Sequence, residues 1–427
     1  MIRVRTVGMW SLGIALGAAL VLCAMLCSAE THPSSKATGA SARPASAMPL
    51  TPVAWPLWSA YAARFINSSG RVIDHDTGDR TTSEGQAYAM FFSLVVNDRA
   101  QFDKLLSWTA QNLAQGDLTA HLPAWEWGHA ADGSWRILDT NSAADADLWI
   151  SYTLIQAGNL WREPRYRSLG VALAALIAER ESTSLPGLGP VLLPAASGFR
   201  TADHWILNPS YSPLPVLTGI AHAMPHGPWP AMANGLPQFL QRSSIHGFAM
   251  DWVSYDVSNG CSPAVLSGSP KDSVAVGSYD AIRVYLWAGM APRSMPGAQA
   301  VLHAVYGMNS YLAAHPIPPR GVDGAGKITA ENGGVGFSAA LLPYLANWRA
   351  KDQLLEQQNR VDALLDPATG LFGSPPMYYD QNLALFAEGF QQNRYHFSTT
   401  GELHVAWGGD LHHRSSARKP GKVNGKR

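Results

Sequence analysis

Thr82-Ser83-Glu84-Gly85-Gln86-Ala87-Tyr88-Ala89-Met90 sets one carboxylate between small residues at the head of an apolar run that continues to Val96 with helical spacing. A carboxyl in that setting is expected to be partly buried and to keep its proton near neutral pH, which a general acid requires. The same period recurs on both sides of it. Phe102 to Leu113, Ala143 to Leu160, Tyr166 to Ala178, Leu214 to Ala223, Trp229 to Gln241, Val274 to Met290, Ala298 to Ala314, Phe337 to Ala346 and Tyr379 to Phe390 each carry apolar residues at helical intervals. Strand-like Val, Ile and Thr alternation is almost absent, and no βαβ rhythm appears. The pattern predicts an all-α architecture with few strands and long Gly- and Pro-rich loops, on which a site would be built.

Composition narrows the ligand. The 427 residues are 47% hydrophobic, and 31 basic side chains balance 31 acidic ones, so a large core is available and the basic excess of a nucleic-acid binder is missing. Fifteen Trp and fourteen Tyr in a chain only 15% charged supply many flat faces of the kind that stack on sugars. Most of them are expected in the core, and those in polar, Gly-rich surroundings are the candidates for contact with substrate.

The ends are expected to be accessory. Arg3 and Arg5 precede an uncharged run to Ser28, and Cys27-Ser28-Ala29 offers small residues for cleavage, so residues 1–29 are assigned as a signal peptide, with an uncleaved anchor as the other reading. Export places the mature protein in the periplasm or outside the cell. Cleavage would leave Cys261 as the single cysteine, without a disulfide or a cysteine metal cluster. Residues 30–52 are rich in Ser, Ala and Pro and are assigned as a flexible linker, residues 53–405 as the catalytic domain and residues 406–427 as a disordered basic tail.

Several motifs fail on inspection. Gly321 to Lys327 has phosphate-loop spacing, but Ile328 replaces the metal-binding hydroxyl and no strand precedes it. Asp74 to Asp79 resembles a calcium loop with its glycine one position early and Gly85 in the place of the closing Glu. Neither a His-Glu-x-x-His pair nor a Gly-x-Ser-x-Gly elbow occurs.

Carboxylates in unusual settings remain. Asn141-Ser142-Ala143-Ala144-Asp145-Ala146-Asp147-Leu148-Trp149 places two aspartates at i and i+2 near a helix start, where both would suit the helix N-terminus. Residues two apart do not share a helical face, so one can enter a cleft while the other caps or pairs. In Tyr279-Asp280-Ala281-Ile282-Arg283, Asp280 and Arg283 stand at i and i+3, close enough to pair and to keep Asp280 ionised. A protonated acid and a charged carboxylate are the two halves of glycoside hydrolysis.

Residues 82 to 90, Asp145 to Ile150 with Trp161, Asn208-Pro209-Ser210-Tyr211, and Tyr279-Asp280-Ala281-x-Arg283 together resemble glycoside hydrolase family 8 in order and spacing. The likeness spans roughly residues 53 to 405 and is greatest to members encoded with bacterial cellulose synthase. It implies an (α/α)6 barrel with an open substrate groove and a cellulase that cleaves β-1,4-glucan with inversion, in cellulose biosynthesis. By motif position, Glu84 resembles the general acid, Asp280 the general base and Asp145 the carboxylate that holds the distorted sugar, while Tyr211 and Arg283 line that subsite. One position departs from the pattern: Ala144 stands where the family usually carries a Ser or Thr hydroxyl. Its loss costs about 0.5 to 1.5 kcal/mol of hydrogen bonding.

Trp125 and Trp127, in Pro123-Ala124-Trp125-Glu126-Trp127-Gly128, are the candidates for stacking on the glucan, with Trp125 placed in the groove and Trp127 underneath. No cofactor or metal is expected. The expected partners are a β-1,4-glucan chain and the cellulose synthase complex, with the chain itself a monomer and no nucleic acid bound. Chitosan or xylan as substrate, or a periplasmic protein that binds cellulose without cutting it, are the alternatives. A chitosan cleft should be lined with extra acids, and the overall charge balance gives no sign of them.

Overall fold

The computed structural model describes residues 51–408 apart from 267 and 271. The proposed signal peptide, residues 30–50 of the linker and all but the first three residues of the tail lie outside the described residues. Thr51-Pro52 and Ala406–Gly408 do belong to the body. The Asn97 amide donates to the Thr51 carbonyl, and the Trp407 indole donates to the carbonyls of Leu94 and Val95 at 3.2 Å.

Thirteen helices follow one another among the described residues: Pro56–Phe65 (α1), Ser83–Val95 (α2), Arg99–Leu113 (α3), Ala144–Leu160 (α4), Pro164–Arg180 (α5), Leu214–Ala223 (α6), Trp229–Ser243 (α7), Ala281–Met290 (α8), Ala298–Ala304 (α9), Gly307–Leu312 (α10), Val335–Trp348 (α11), Lys351–Ala363 (α12) and Tyr378–Gln391 (α13). Twelve of them, all but α10, alternate between two rings. α2, α4, α6, α8, α11 and α13 pack side by side in that order, and α13 returns to α2. α3, α5, α7, α9, α12 and α1 each lie outside one of them. This is an (α/α)6 barrel.

Sequence decides which ring a helix joins. An inner helix touches protein on every side, so it must be apolar all round. Fifteen of the seventeen residues of α4 and all ten of α8 are buried. α12, by contrast, buries only Gln357 and Val361. Local signals start the helices: the Thr82 hydroxyl accepts from the Gly85 N–H at 3.1 Å to cap α2, Asp98 caps α3, and proline occupies the first turn of α1, α5, α6 and α7.

Aromatic rings fill the middle. Phe386 of α13 has Tyr88, Phe91 and Phe92 of α2, Trp149 of α4 and Trp287 of α8 at centroid distances of 4.7 to 5.5 Å. α8 and α11 meet with their backbones nearly touching, since a Cβ on Gly289 would stand 2.2 Å from the Tyr344 nitrogen. Asn347 then closes the C-terminal end of α8 by donating its amide to the carbonyls of Ala288 and Ala291.

Two expectations need correction. Val274 to Met290 is not one helix, because Val276–Gly277 forms a short strand and α8 starts only at Ala281. Ala298 to Ala314 breaks at Val305-Tyr306 into α9 and α10. As expected, strands are few and short: among the described residues, fifteen of two to five residues each decorate the loops in six antiparallel sheets. Two of these sheets serve the site. One pairs Thr81–Thr82 with Glu126–His129 beside the start of α2, and the other ends at Gly277, three residues before Asp280.

Candidate active site

Three inner helices bring their first turns, or the residue just before them, to one point. Glu84 opens α2, Asp145 opens α4, and Asp280 immediately precedes α8. Their carboxylates, drawn from positions 61 and 196 residues apart from Glu84, meet on the guanidinium of Arg283, which is only 1% exposed. Arg283 Nη1 donates to Glu84 Oε2 at 2.8 Å, to Asp145 Oδ2 at 2.9 Å and to the Tyr88 hydroxyl at 3.1 Å, while Nη2 donates to Asp280 Oδ1. The Tyr211 ring lies 5.6 Å from the guanidinium carbon.

Exposure separates the roles. The side chains of Glu84 and Asp280 keep 26% and 28% of their surface open, whereas Asp145 is sealed at 3%. Two carboxyls thus reach solvent from different nitrogens of one planar fork. Burial pushes the Glu84 carboxyl up to about 7, with Arg283 opposing and the charges of Asp145 and Asp280 adding to the rise. Burial likewise raises Asp145, again against Arg283. A carboxyl raised to that range is able to carry a proton near neutral pH.

The two aspartates of α4 diverge as residues two apart on a helix must. Asp147 leaves the cleft and faces Glu181, both fully buried. Neither oxygen of Asp147 has a hydrogen-bond partner among the described residues, and burial, then the neighbouring charge of Glu181, pushes its carboxyl well above the usual carboxylate range. Burial pushes Glu181 up to about 8, although the Ser142 hydroxyl donates to its Oε1. Ala144, the position short of a hydroxyl, is buried and gives its N–H to the Pro194 carbonyl at 2.9 Å.

The tryptophans part company. The Trp125 carbonyl accepts from the Ser83 N–H at 3.0 Å, which sets Trp125 beside Glu84, and its ring centroid lies 6.0 Å from the Arg80 guanidinium. Trp127 packs edge-on to Trp108 and stacks on Trp135 at 5.3 Å, with Arg71 over its ring. None of those partners belongs to the carboxylate cluster.

Sequence reasoning missed Tyr88, Asp251 and Glu181. Tyr88 had a signal, because it follows Glu84 by four residues and so occupies the same helical face one turn along. Asp251 and Glu181 had none. Asp251 reaches Asp280 across 29 positions and Glu181 faces Asp147 across 34, through contacts that no local spacing encodes. Among the described residues, no set of three or more His, Cys, Asp or Glu side chains is arranged to hold a metal ion, and none of the helices is long and apolar enough to cross a membrane.

A helical barrel whose mouth presents a carboxyl raised toward neutral pH and a second carboxylate on a buried arginine has the frame of an enzyme that hydrolyses glycosidic bonds. Comparison with known proteins makes the class specific, since residues 45–393 match the model of glycosyl hydrolases family 8. The chain belongs to that family, and is a glycoside hydrolase. It is 45% identical over 354 residues to a protein of Xanthomonas axonopodis pv. citri named Endoglucanase, covering 83% of this chain and 89% of the relative. An Endoglucanase of Escherichia coli K12 is 41% identical over 355 residues, covering 83% and 92%. The crystal structure of endo-1,4-D-glucanase from Vibrio fischeri superimposes with a TM-score of 0.75 at 39% identity, covering 83% of this chain and 99% of that one.

Proposed function

We propose that this chain is an endo-β-1,4-glucanase, a cellulase that inverts the anomeric centre. Glu84 protonates the leaving glycosidic oxygen, and Asp280 takes a proton from the water attacking the opposite face of the ring. Asp145, sealed behind them, holds the distorted sugar at the scissile bond. Tyr211 and Arg283 line that subsite, and Trp125 stacks on the chain beyond it, with Trp127 supporting the loop. The observation that carries this reading is the arginine fork. It gathers Glu84 and Asp280 on different nitrogens of one buried guanidinium and leaves both side chains partly open to solvent, the arrangement an acid and a base acting on one bond require.

The relatives named Endoglucanase and the similar endo-1,4-D-glucanase support a β-1,4-glucan as the substrate. We further propose that the protein acts as a monomer in the periplasm during cellulose synthesis, near the synthase, a reading supported by the signal-like pattern at 1–29. The test is incubation of the purified chain with soluble cellulose derivatives, xylan and chitosan while NMR follows the product anomers. Release of α-anomer first, from the cellulose derivative in preference to the others, is expected. Initial β-anomer would overturn inversion, and no release from any of the three would favour a protein that binds glucan without cutting it.

A further inference from the structure

Asp280 sits at the N-terminus of α8, yet it does not cap that helix, because its carboxylate is spent on Arg283. The N–H groups there still need partners. They find one in Asp251, which lies 29 residues earlier in the chain. A single oxygen, Asp251 Oδ1, accepts from the N–H of Ser278 at 2.7 Å, of Asp280 at 3.1 Å and of Ala281 at 2.8 Å. The backbone N–H of Asp251 in turn donates to the Val276 carbonyl at 2.9 Å, so the two segments grip each other from both sides.

We propose that Asp251 is a positioning residue for the proposed base: it fixes the backbone on which Asp280 is mounted while Arg283 fixes the carboxylate, so that Asp280 is held at both ends. The consequence is geometric. With one end free, the Asp280 carboxylate could still reach Arg283 but would swing relative to the attacking water, and misplacement of a catalytic group by about 1 Å costs on the order of 10²-fold. The clamp does not depend on a full charge. Burial, and then the neighbouring charge of Asp280, push the Asp251 carboxyl up to about 7, so an amide oxygen in its place should hold the same three N–H groups.

The inference rests on Asp280 being the base, so Asp280→Asn is measured beside the Asp251 variants on a soluble cellulose derivative, with kcat, KM and melting temperature recorded for each. Asp251→Ala is expected to lower kcat by about 10- to 100-fold with KM within about twofold of the parent, assayed well below its melting temperature. Asp251→Asn is expected to recover kcat to within about fivefold. A merely structural aspartate would show a lowered melting temperature without that split or that rescue. Should the alanine variant not fold, Asp251→Ser replaces it, since its shorter side chain spans at most one of the three N–H groups. An Asp251→Ala or Asp251→Ser kcat within twofold of the parent, or an Asp251→Asn variant as impaired as either, overturns the proposal. An Asp280→Asn variant that retains parental kcat overturns the base assignment instead, whatever Asp251 does.

Discussion

Arg283→Lys keeps one positive charge at the centre of the site and removes the fork. The arginine makes three charge-assisted bonds to carboxylates, two from Nη1 and one from Nη2, and each is worth about 1.5 to 3 kcal/mol. An ammonium is a compact point charge that cannot serve both ends of the fork, and it gives up the planar contact with Tyr211. At least one carboxylate is then left desolvated without a partner. Breaking a buried pair in this way costs about 3 to 5 kcal/mol, a large part of the 5 to 15 kcal/mol that stabilises a typical domain. At roughly 1 to 2 °C per kcal/mol for a body of this length, the melting temperature should fall by about 5 °C. Catalysis should suffer separately, because either Glu84 or Asp280 loses its anchor, and kcat/KM should fall by at least about 10²-fold. Circular dichroism melts at pH 6 and reducing-sugar release at 25 °C measure the two effects. A lysine variant within threefold of the parent in kcat/KM and within 2 °C in melting would refute the claim that the fork organises the site.

With Glu84 pushed up to about 7, kcat/KM should fall tenfold per pH unit above neutrality, leaving about a tenth at pH 8, and Glu84→Gln should abolish this limb along with about 10²- to 10⁴-fold of activity; a flat profile to pH 9 would remove Glu84 as the acid. Glu181 is raised in the folded state to about 8 from an ordinary value of 4.5, so the native protein holds more protons than the unfolded chain between those values and stability falls as pH rises through that window. Glu181→Gln should therefore flatten the drop in melting temperature between pH 5 and 8, and an unchanged slope would count against it. Gly289→Ala drives a methyl into the backbone at Pro343-Tyr344, where no rotamer change relieves it, and should cost about 1 to 3 kcal/mol. Gly235→Ala in α7, whose added carbon would meet only the Leu188 carbonyl at 3.4 Å, should by contrast be neutral or stabilising in the same thermal melts.

The inner ring was legible because burial on all sides leaves a long apolar signature. Leu214 to Ala223 coincides with α6, and Ala143 to Leu160 lies within one residue of α4. α12 escaped because an outer helix with two buried residues has almost no apolar period, and α1 because it is only ten residues long and buries just Leu57, Trp58, Tyr61 and Phe65. The overlong helix at Val274 shows the converse error. Val276 satisfies a helical period, but its backbone is committed to a strand pairing with Asp323 that spacing cannot reveal. The site divides the same way. Glu84, Asp145, Asp280 and Arg283 mark helix starts and an i, i+3 pair, which are local features, whereas the grip of Asp251 and the Asp147–Glu181 pair exist only once distant segments have met.

The barrel closes where its ends meet. Arg394 donates to the Ala54 carbonyl, the Tyr378 N–H donates to Asp76, and the Trp407 indole reaches the end of α2, contacts that join residues more than 300 positions apart. The carboxylate cluster is itself bridged by bonds that span 138 and 199 positions. Contacts of such long range form late, since loop closure must be met before they stabilise anything. During refolding, helix content should therefore return well before hydrolysis does. An intermediate with every helix but an open ring would be spectroscopically native-like and catalytically silent, and hydrolysis would begin when α13 seals against α2.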